Sequence, residues 1–459
     1  MTTCSSESAM SNGTQSYPVA IIGAGPVGLA AAAHLVSRGE RPVVLEAGPT
    51  VGAHIAAWGH VQVFSPWRFN VDEVSAKLLR AHGWSDPDPD VLPTGTDLVS
   101  QYLRPLAAIP ELAPHVRLNS RVTQITRSGY DKMKTPGRER APFALRVRNA
   151  DGRESTLLAR AVIDASGTWS TPNPLGAEGI PAEGETSAAN RIVYGIPAPR
   201  GADRQRYAGR RVLVVGSGHS AFNVLLDLVA VADVAPATEI TWAIRRADVG
   251  QLYGGGAADA LPARGQLGTR LQSAVAKGGV KLVTNFKTAA VRSSDKGVSL
   301  TDVEGRVLGP FDEIIAATGF RPDLSLSHEL RLDLDPAVES PRVLAPLIDP
   351  NVHSCGTVPP HGVEQLRHPE PDFYIVGMKS SGRAPTFLRL PGDEQVRSVV
   401  AALVGDIEAA RRVEVTLPAT GVCSSTAAGQ CGTEAAAAAR CCATEPVVVA
   451  TTLSAPGRR

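Results

Sequence analysis

The sequence predicts an α/β fold of two Rossmann-like dinucleotide-binding domains in series, followed by a disordered C-terminal tail. Three observations predict it. Val19 to Ile22 is an apolar strand run that opens into Gly23-Ala-Gly25-Pro-Val-Gly28 and an alanine-rich helical stretch. Arg211 to Val215 repeats the arrangement, with Gly216-Ser-Gly218-His-Ser-Ala221 and a helix to about Ala232. Past about Arg412 the chain turns to Ala, Thr, Ser, Gly and Val, with too little apolar patterning for a core.

In the first unit Gly23 permits the tight turn off the strand. Gly25 lets a pyrophosphate approach the backbone without meeting a Cβ, and Gly28 lets the helix pack closely on the sheet. The helix N-terminus then offers free N–H groups and partial positive charge to the phosphates. The next apolar run, Val43 to Leu45, ends on Glu46, eighteen residues after the last glycine, where a carboxylate can hold a ribose hydroxyl pair. Gly52 to Asn70 follows as a loop carrying Trp58, Phe64, Trp67 and Phe69, which serve either to wall a flat ring system or as core aromatics. Trp67 and Asn70 are candidates for the pocket wall. A helix over Thr96–Ile109 and strands over 115–125, 143–147 and 154–158 are expected next. The basic stretch Lys132–Ala141 reads as a solvated hairpin tip. The strand 160–167 ends in small residues, Ser166 and Gly167, which suit close passage beside a cofactor.

In the second unit Ala221 replaces the third glycine, which the fingerprint allows. Ser220 lies in the same first helical turn. The strand Glu239–Ile244 ends on Arg245-Arg246 instead of an acid. Paired guanidiniums suit a 2′-phosphate, which Arg grips with two parallel hydrogen bonds, so NADPH is expected over NADH. Further strands are expected at 278–284 and 298–300. The strand from Glu313 again ends in small residues, Thr318 and Gly319. A buried strand at 372–377 and a helix at 394–404 complete the fold.

With 46 basic and 45 acidic residues in 459, no global charge draws the protein to nucleic acid or an anionic membrane. No apolar run approaches the roughly 18–20 residues that span a bilayer. The N-terminus has neither the basic nor the apolar region of a secretory signal, and residues 1–17 read as a disordered leader. Six cysteines in this length do not make a disulfide framework. The expected location is cytoplasmic.

Two glycine motifs in this order, the second placed before an A-A-T-G-F-R-P strand end at Ala316–Pro322, resemble the two-dinucleotide-binding-domain flavoproteins. D-A-S-G-T-W-S-T-P-N-P at Asp164–Pro174 resembles the corresponding segment of single-component flavin monooxygenases. The resemblance implies an FAD domain (18–205 and 313–410) interrupted by an NADPH domain (206–312). It implies FAD contacts at Gly23, Gly25, Gly28 and Glu46, and NADPH contacts at Gly216, Gly218, Ala221, Arg245 and Arg246. Two departures matter. The F-x-G-x-x-x-H signature of the multi-substrate monooxygenases is absent before the second motif. The cysteine pairs of the disulfide reductases are absent too, since 47–75 and 205–310 contain no cysteine.

Four of the six cysteines, Cys423, Cys431, Cys441 and Cys442, lie in the tail (411–459). Thiolates select soft ions, and vicinal cysteines in a tail resemble those of mercuric reductase and of arsenic-handling proteins; flavoproteins of this general type also resemble monooxygenase-like members of arsenic-resistance operons. The tail cysteines are therefore either metalloid ligands or incidental. Cys355, between His353 and His361, is either a site thiol or a loop cysteine. The expected activity is NADPH-dependent oxygenation, with molecular oxygen, of a small molecule bearing a soft sulfur, nitrogen or arsenic centre. The alternatives are electron transfer to a quinone, metalloid or thiol without oxygenation, and metalloid binding on a degenerate flavoprotein scaffold.

Overall fold

The computed structural model describes residues 17–415 except 251, 354–357, 385 and 387. The expected leader, Cys355 and the four tail cysteines lie outside the described residues.

Each glycine motif sits in its own five-stranded parallel sheet. The first is built from β1 (Val19–Ile22), β2 (Pro42–Leu45) and β3 (Val116–Arg117). The chain then makes an antiparallel meander, β4 (Arg121–Arg127), β5 (Phe143–Arg148) and β6 (Glu154–Ala159), before returning as β7 (Ala161–Asp164). The second sheet contains β8 (Ile192–Tyr194), β9 (Arg211–Val215), β10 (Glu239–Ala243) and β11 (Lys281–Val283). A second meander, β12 (Thr288–Ser294), β13 (Gly297–Asp302) and β14 (Val307–Phe311), leads to β15 (Glu313–Ala316). Finally β16 (Phe373–Ile375) returns to the first sheet beside β7. The orders are β16-β7-β1-β2-β3 and β11-β10-β9-β15-β8. In each the glycine-bearing strand is central, and the chain continues to one side before coming back on the other. That reversal opens a crevice at the carboxyl ends of the strands, where open α/β sheets bind ligands.

The pairing moves both boundaries expected for the second unit. β15 pairs with β9, and β8 with β15, so both belong to the second sheet and the second unit extends beyond 206–312.

The first motif helix, Pro26–Ser37, is buried continuously from Gly28 to Leu35. A helix apolar on all sides must be covered on all sides. The helix Leu390–Leu403 supplies the outer cover, packing so closely that a Cβ on Gly392 would lie 2.8 Å from the Val27 side chain.

Two expectations about the surface change. The helix expected at 96–109 is split by a π-helical stretch, Leu98–Leu103. Pro105 has no N–H to give to Gln101, whose carbonyl accepts from the Trp84 indole at 2.8 Å instead. The 132–141 tip is not uniformly solvated. Arg138 is buried and, with Arg127, pairs with buried Glu370 at 2.7 and 2.8 Å, which staples the first meander to the segment leading into β16.

Candidate functional site

The parallel register places Ile22 beside Asp164 and Val215 beside Ala316, so each glycine turn emerges next to a small-residue strand end. Gly23 has φ +97°, and a Cβ there would lie 2.8 Å from the Ala165 carbonyl. Gly216 has φ +132°, and its Cβ would lie 2.1 Å from the Ala317 carbonyl. Only glycine fits either turn. A Cβ on Gly28 would meet the Gly23 carbonyl at 2.0 Å. At Gly25 and Gly218, by contrast, a Cβ would meet nothing within 4 Å. These two residues cap helices of 12 and 16 residues without any side-chain capping bond, and the first-turn N–H groups of a helix have no intrahelical acceptor. A cradle closed by Gly23 and Gly28 and open at Gly25 has the shape a pyrophosphate needs.

Glu46 is buried at the end of β2. Its Oε2 accepts from Ala24 N and its Oε1 from Gly48 N, both at 2.7 Å. Each oxygen keeps acceptor capacity for a ribose hydroxyl, while the backbone bonds fix the carboxylate beside the glycine turn. The residues of this seat fit the adenosine diphosphate half of a flavin dinucleotide.

Beneath the strand end of β7 lies a buried ion pair. Lys379 Nζ donates to Asp164 Oδ2 at 2.7 Å and to Ser166 Oγ at 3.1 Å, and both charged side chains are fully buried. Ser166 gives its own N–H and hydroxyl to Asp164 Oδ1, at 3.1 and 2.6 Å. Lys379 lies on the turn Gly377–Ser381 that follows β16. The N–H of Gly377 donates to Gln395 Oε1 at 2.6 Å. Burial lowers the pKa of nearby His361, whose Nδ1 donates to Pro359 O at 2.9 Å, leaving Nε2 to accept from Gln395 Nε2 at 2.5 Å.

The second site is open. Gly218 is exposed, as are Arg245 and Arg246 at the end of β10. Among the described residues neither guanidinium has an ion-pair partner, and Arg245 makes one long hydrogen bond, 3.4 Å, to Ala177 O. Ser220 is half-buried in the first turn, and Ala221 is buried against the sheet. The Thr318 hydroxyl is committed to the linker, donating to Asn173 O at 2.5 Å, while Gly319 O accepts from Asn173 N at 2.9 Å. Ser166 and Thr318 therefore offer a ligand their backbone more than their hydroxyls, and Gly167 and Gly319 both hold positive φ.

Trp67 and Asn70 do not form a pocket wall. Trp67 is buried in the first core, and the Asn70 amide is spent on Ser65 O and Pro66 O at 2.8 and 2.9 Å. Phe64 reaches the second unit instead, its ring 5.0 Å from that of His219. A cavity of about 360 Å³ lined by Pro172, Ile180, Glu185 and Tyr194 borders neither glycine turn. Among the described residues no three metal-ligating side chains cluster, and no helix is long and apolar enough to cross a membrane.

Sequence reading missed Asp164, Lys379 and Gln395. Only Asp164 left a signal, an acid at the end of an otherwise apolar strand.

Two glycine cradles at the switch points of two parallel sheets, one followed by an acid and the other by paired arginines, define a protein that seats two dinucleotides. The chain belongs to the pyridine nucleotide-disulphide oxidoreductase family, whose pattern it matches over residues 20–343. It is a two-domain flavoprotein with FAD as cofactor, a class whose members usually work with NADPH. It is 31% identical over 215 residues to the indole-3-pyruvate monooxygenase YUCCA1 of Oryza sativa, covering 45% of this chain and 44% of that one. The chain spans about half the length of the curated relatives it matches. In fold it resembles the bacillithiol disulfide reductase of Bacillus cereus (TM-score 0.59, 19% identity, 84% of this chain and 100% of that one). It also resembles the flavin-containing monooxygenase of Stenotrophomonas maltophilia (TM-score 0.51, 22% identity, 85% and 99%).

Proposed function

We propose that the protein is an NADPH-dependent single-component flavin monooxygenase acting on a small molecule with a soft nucleophilic centre of sulfur, nitrogen or arsenic. The observation that carries this reading is the contrast between a closed seat holding Glu46 and an open one holding Arg245 and Arg246. Bound FAD supplies hydride acceptance and reactivity toward oxygen, which no amino-acid side chain offers. The chain's own residues then have positioning work. Gly23, Gly25 and Gly28 admit the pyrophosphate, Glu46 orients the ribose, and Ala165–Gly167 borders the seat. Gly216, Gly218 and Ala221 receive the nicotinamide coenzyme, and Arg245 with Arg246 grips its 2′-phosphate.

The absence of cysteine from 47–75 and 205–310 favours oxygenation over electron delivery to a protein dithiol. The test is NADPH consumption in air with thioether, amine and arsenite substrates, with oxygenated product and hydrogen peroxide measured together. Oxygenated product matching NADPH consumed is expected for one class. Hydrogen peroxide accounting for all the NADPH with every class would overturn the monooxygenase reading.

A further inference from the structure

The loop between the first motif and the meander joins the two units, and its contacts form a continuous chain. At its inner end Trp67 is buried, and the Arg389 guanidinium donates to the Asn70 carbonyl. Arg389 is itself held by Asp393 at 2.9 Å and lies 5.2 Å from the Tyr102 ring centroid. Asn70 fixes the Ser65-Pro66 bend through its amide. At the outer end His60 Nε2 donates to Pro197 O at 3.0 Å, and Phe64 lies against His219 at 5.0 Å between ring centroids, tilted by 52°.

His219 is the first residue of the helix His219–Val234, directly after Gly218. Its ring meets Phe222 at 5.9 Å, Phe222 meets Trp242 at 5.8 Å, and the Trp242 indole donates to Gly216 O at 2.7 Å. A packed series therefore runs from the first unit, through Phe64, into the backbone of the second glycine turn.

We propose that Phe64 and His219 are a positioning pair that fixes the second glycine turn against the flavin unit and thereby sets the approach of the nicotinamide to the flavin. The inference rests on the NADPH-to-FAD reading above. In that reaction a C–H bond of the dihydronicotinamide breaks, and its hydride carries two electrons to oxidised FAD. The coenzyme leaves as NADP⁺, and the reduced flavin takes one proton from solvent. Binding of the coenzyme rests on the exposed Arg245 and Arg246 and on the backbone of the Gly218 cradle, whereas Phe64 meets the helix start through the His219 ring. The pair therefore acts on the geometry of transfer rather than on affinity. Misplacement of reacting groups by about 1 Å costs on the order of 10²-fold in rate.

The experiment compares wild type with Phe64→Ala, His219→Ala and His219→Phe. FAD content, NADP⁺ affinity of the apoprotein, and the anaerobic rate of flavin reduction at saturating NADPH are each measured. In both alanine variants reduction should slow by about 10–100-fold, with NADP⁺ affinity within about 3-fold of wild type and FAD content unchanged. His219→Phe should restore most of the rate, because a ring and not a charge makes the contact. If Phe64→Ala does not fold, Phe64→Leu should show the same slowing in smaller measure. Unchanged reduction rates in the alanine variants, a loss carried wholly by NADP⁺ affinity, or a His219→Phe protein as slow as His219→Ala would each overturn the pair. Failure of NADPH to bleach wild-type flavin would instead overturn the functional reading.

Discussion

The two glycine units share one topology and differ in what lies at equivalent places. Asp164 ends the strand beside the first turn, and Ala316 ends the strand beside the second. The first therefore carries a fully buried ion pair to Lys379 under its seat, and the second carries none there. Gly28 leaves no room for a Cβ, while Ala221 carries one against the sheet with no exposure. The first motif helix is buried over eight consecutive residues, and the second exposes Gly218 and the arginines beyond it. A seat built with buried charge, close packing and a covering helix suits a cofactor that stays. A seat with unpaired exposed cations suits a coenzyme that must leave each turnover.

The comparison breaks most visibly at the buried charge. Lys379→Met leaves the Asp164 carboxylate buried without its cation, which costs about 3–5 kcal/mol. Urea unfolding should report that loss together with release of FAD. The double variant Asp164→Asn/Lys379→Met should recover most of the stability, because a neutral pairing removes the unpaired charge. Full stability in the single variant would show that the pair does not hold the seat.

The third motif position gives the next effect. Gly28→Ala drives a methyl into the Gly23 carbonyl, and overpacking of this kind costs about 1–3 kcal/mol. Ala221→Gly removes a methyl that the second unit accommodates, at about 1 kcal/mol of helix propensity. FAD retained per chain after gel filtration should fall in the first variant and hold in the second.

What the sequence made legible follows from which interactions are local. The glycine turn and Glu46 in the first motif, and the glycine turn and Arg245-Arg246 in the second, each fall within about thirty residues, so spacing alone made them candidates. β8, β12 and β14 were not anticipated: β8 has three residues, β12 is made mostly of small and polar residues, and β14 is interrupted by Gly309-Pro310. Lys379 meets Asp164 across 215 positions, and Arg389 meets Asn70 across 319, so neither pairing leaves a spacing to read. The misplaced boundaries at 206 and 313 have the same cause, because membership of a sheet is set by pairing and not by the apolar run. Trp67 and Phe64 were indistinguishable as loop aromatics until packing sent one into the core and the other to His219.

The open seat makes a weaker but more selective prediction. Arg245→Ala combined with Arg246→Ala removes charge-assisted hydrogen bonds to a 2′-phosphate that together contribute about 1.5–3 kcal/mol at this exposed site. KM for NADPH should rise by about 10–100-fold, that for NADH should stay nearly constant, and FAD content should not change. Equal loss with both coenzymes would show that the arginines support the fold of β10 rather than read the phosphate.

The smallest effect distinguishes the two units by their half-buried imidazoles. Burial lowers the pKa of His219 to about 4, with Arg264 reinforcing the shift and Asp259 opposing it. His368 in the first unit is lowered to about 4, chiefly by burial. A histidine whose folded pKa lies below its unfolded value near 6.5 contributes stability above that pH. The contribution erodes as the pH falls toward 4, because the unfolded chain then binds the extra proton. His219→Phe removes this liability without removing the ring. At pH 5 it should gain about 1–2 kcal/mol relative to wild type compared with the difference at pH 7.5. The acid sensitivity that remains should follow His368, and a matching gain in His368→Phe would assign one acid-labile imidazole to each unit. If His219→Phe shows the same pH dependence as wild type, the imidazole is reached by solvent, and the ring contact with Phe64 is looser than the packing of the second glycine turn requires.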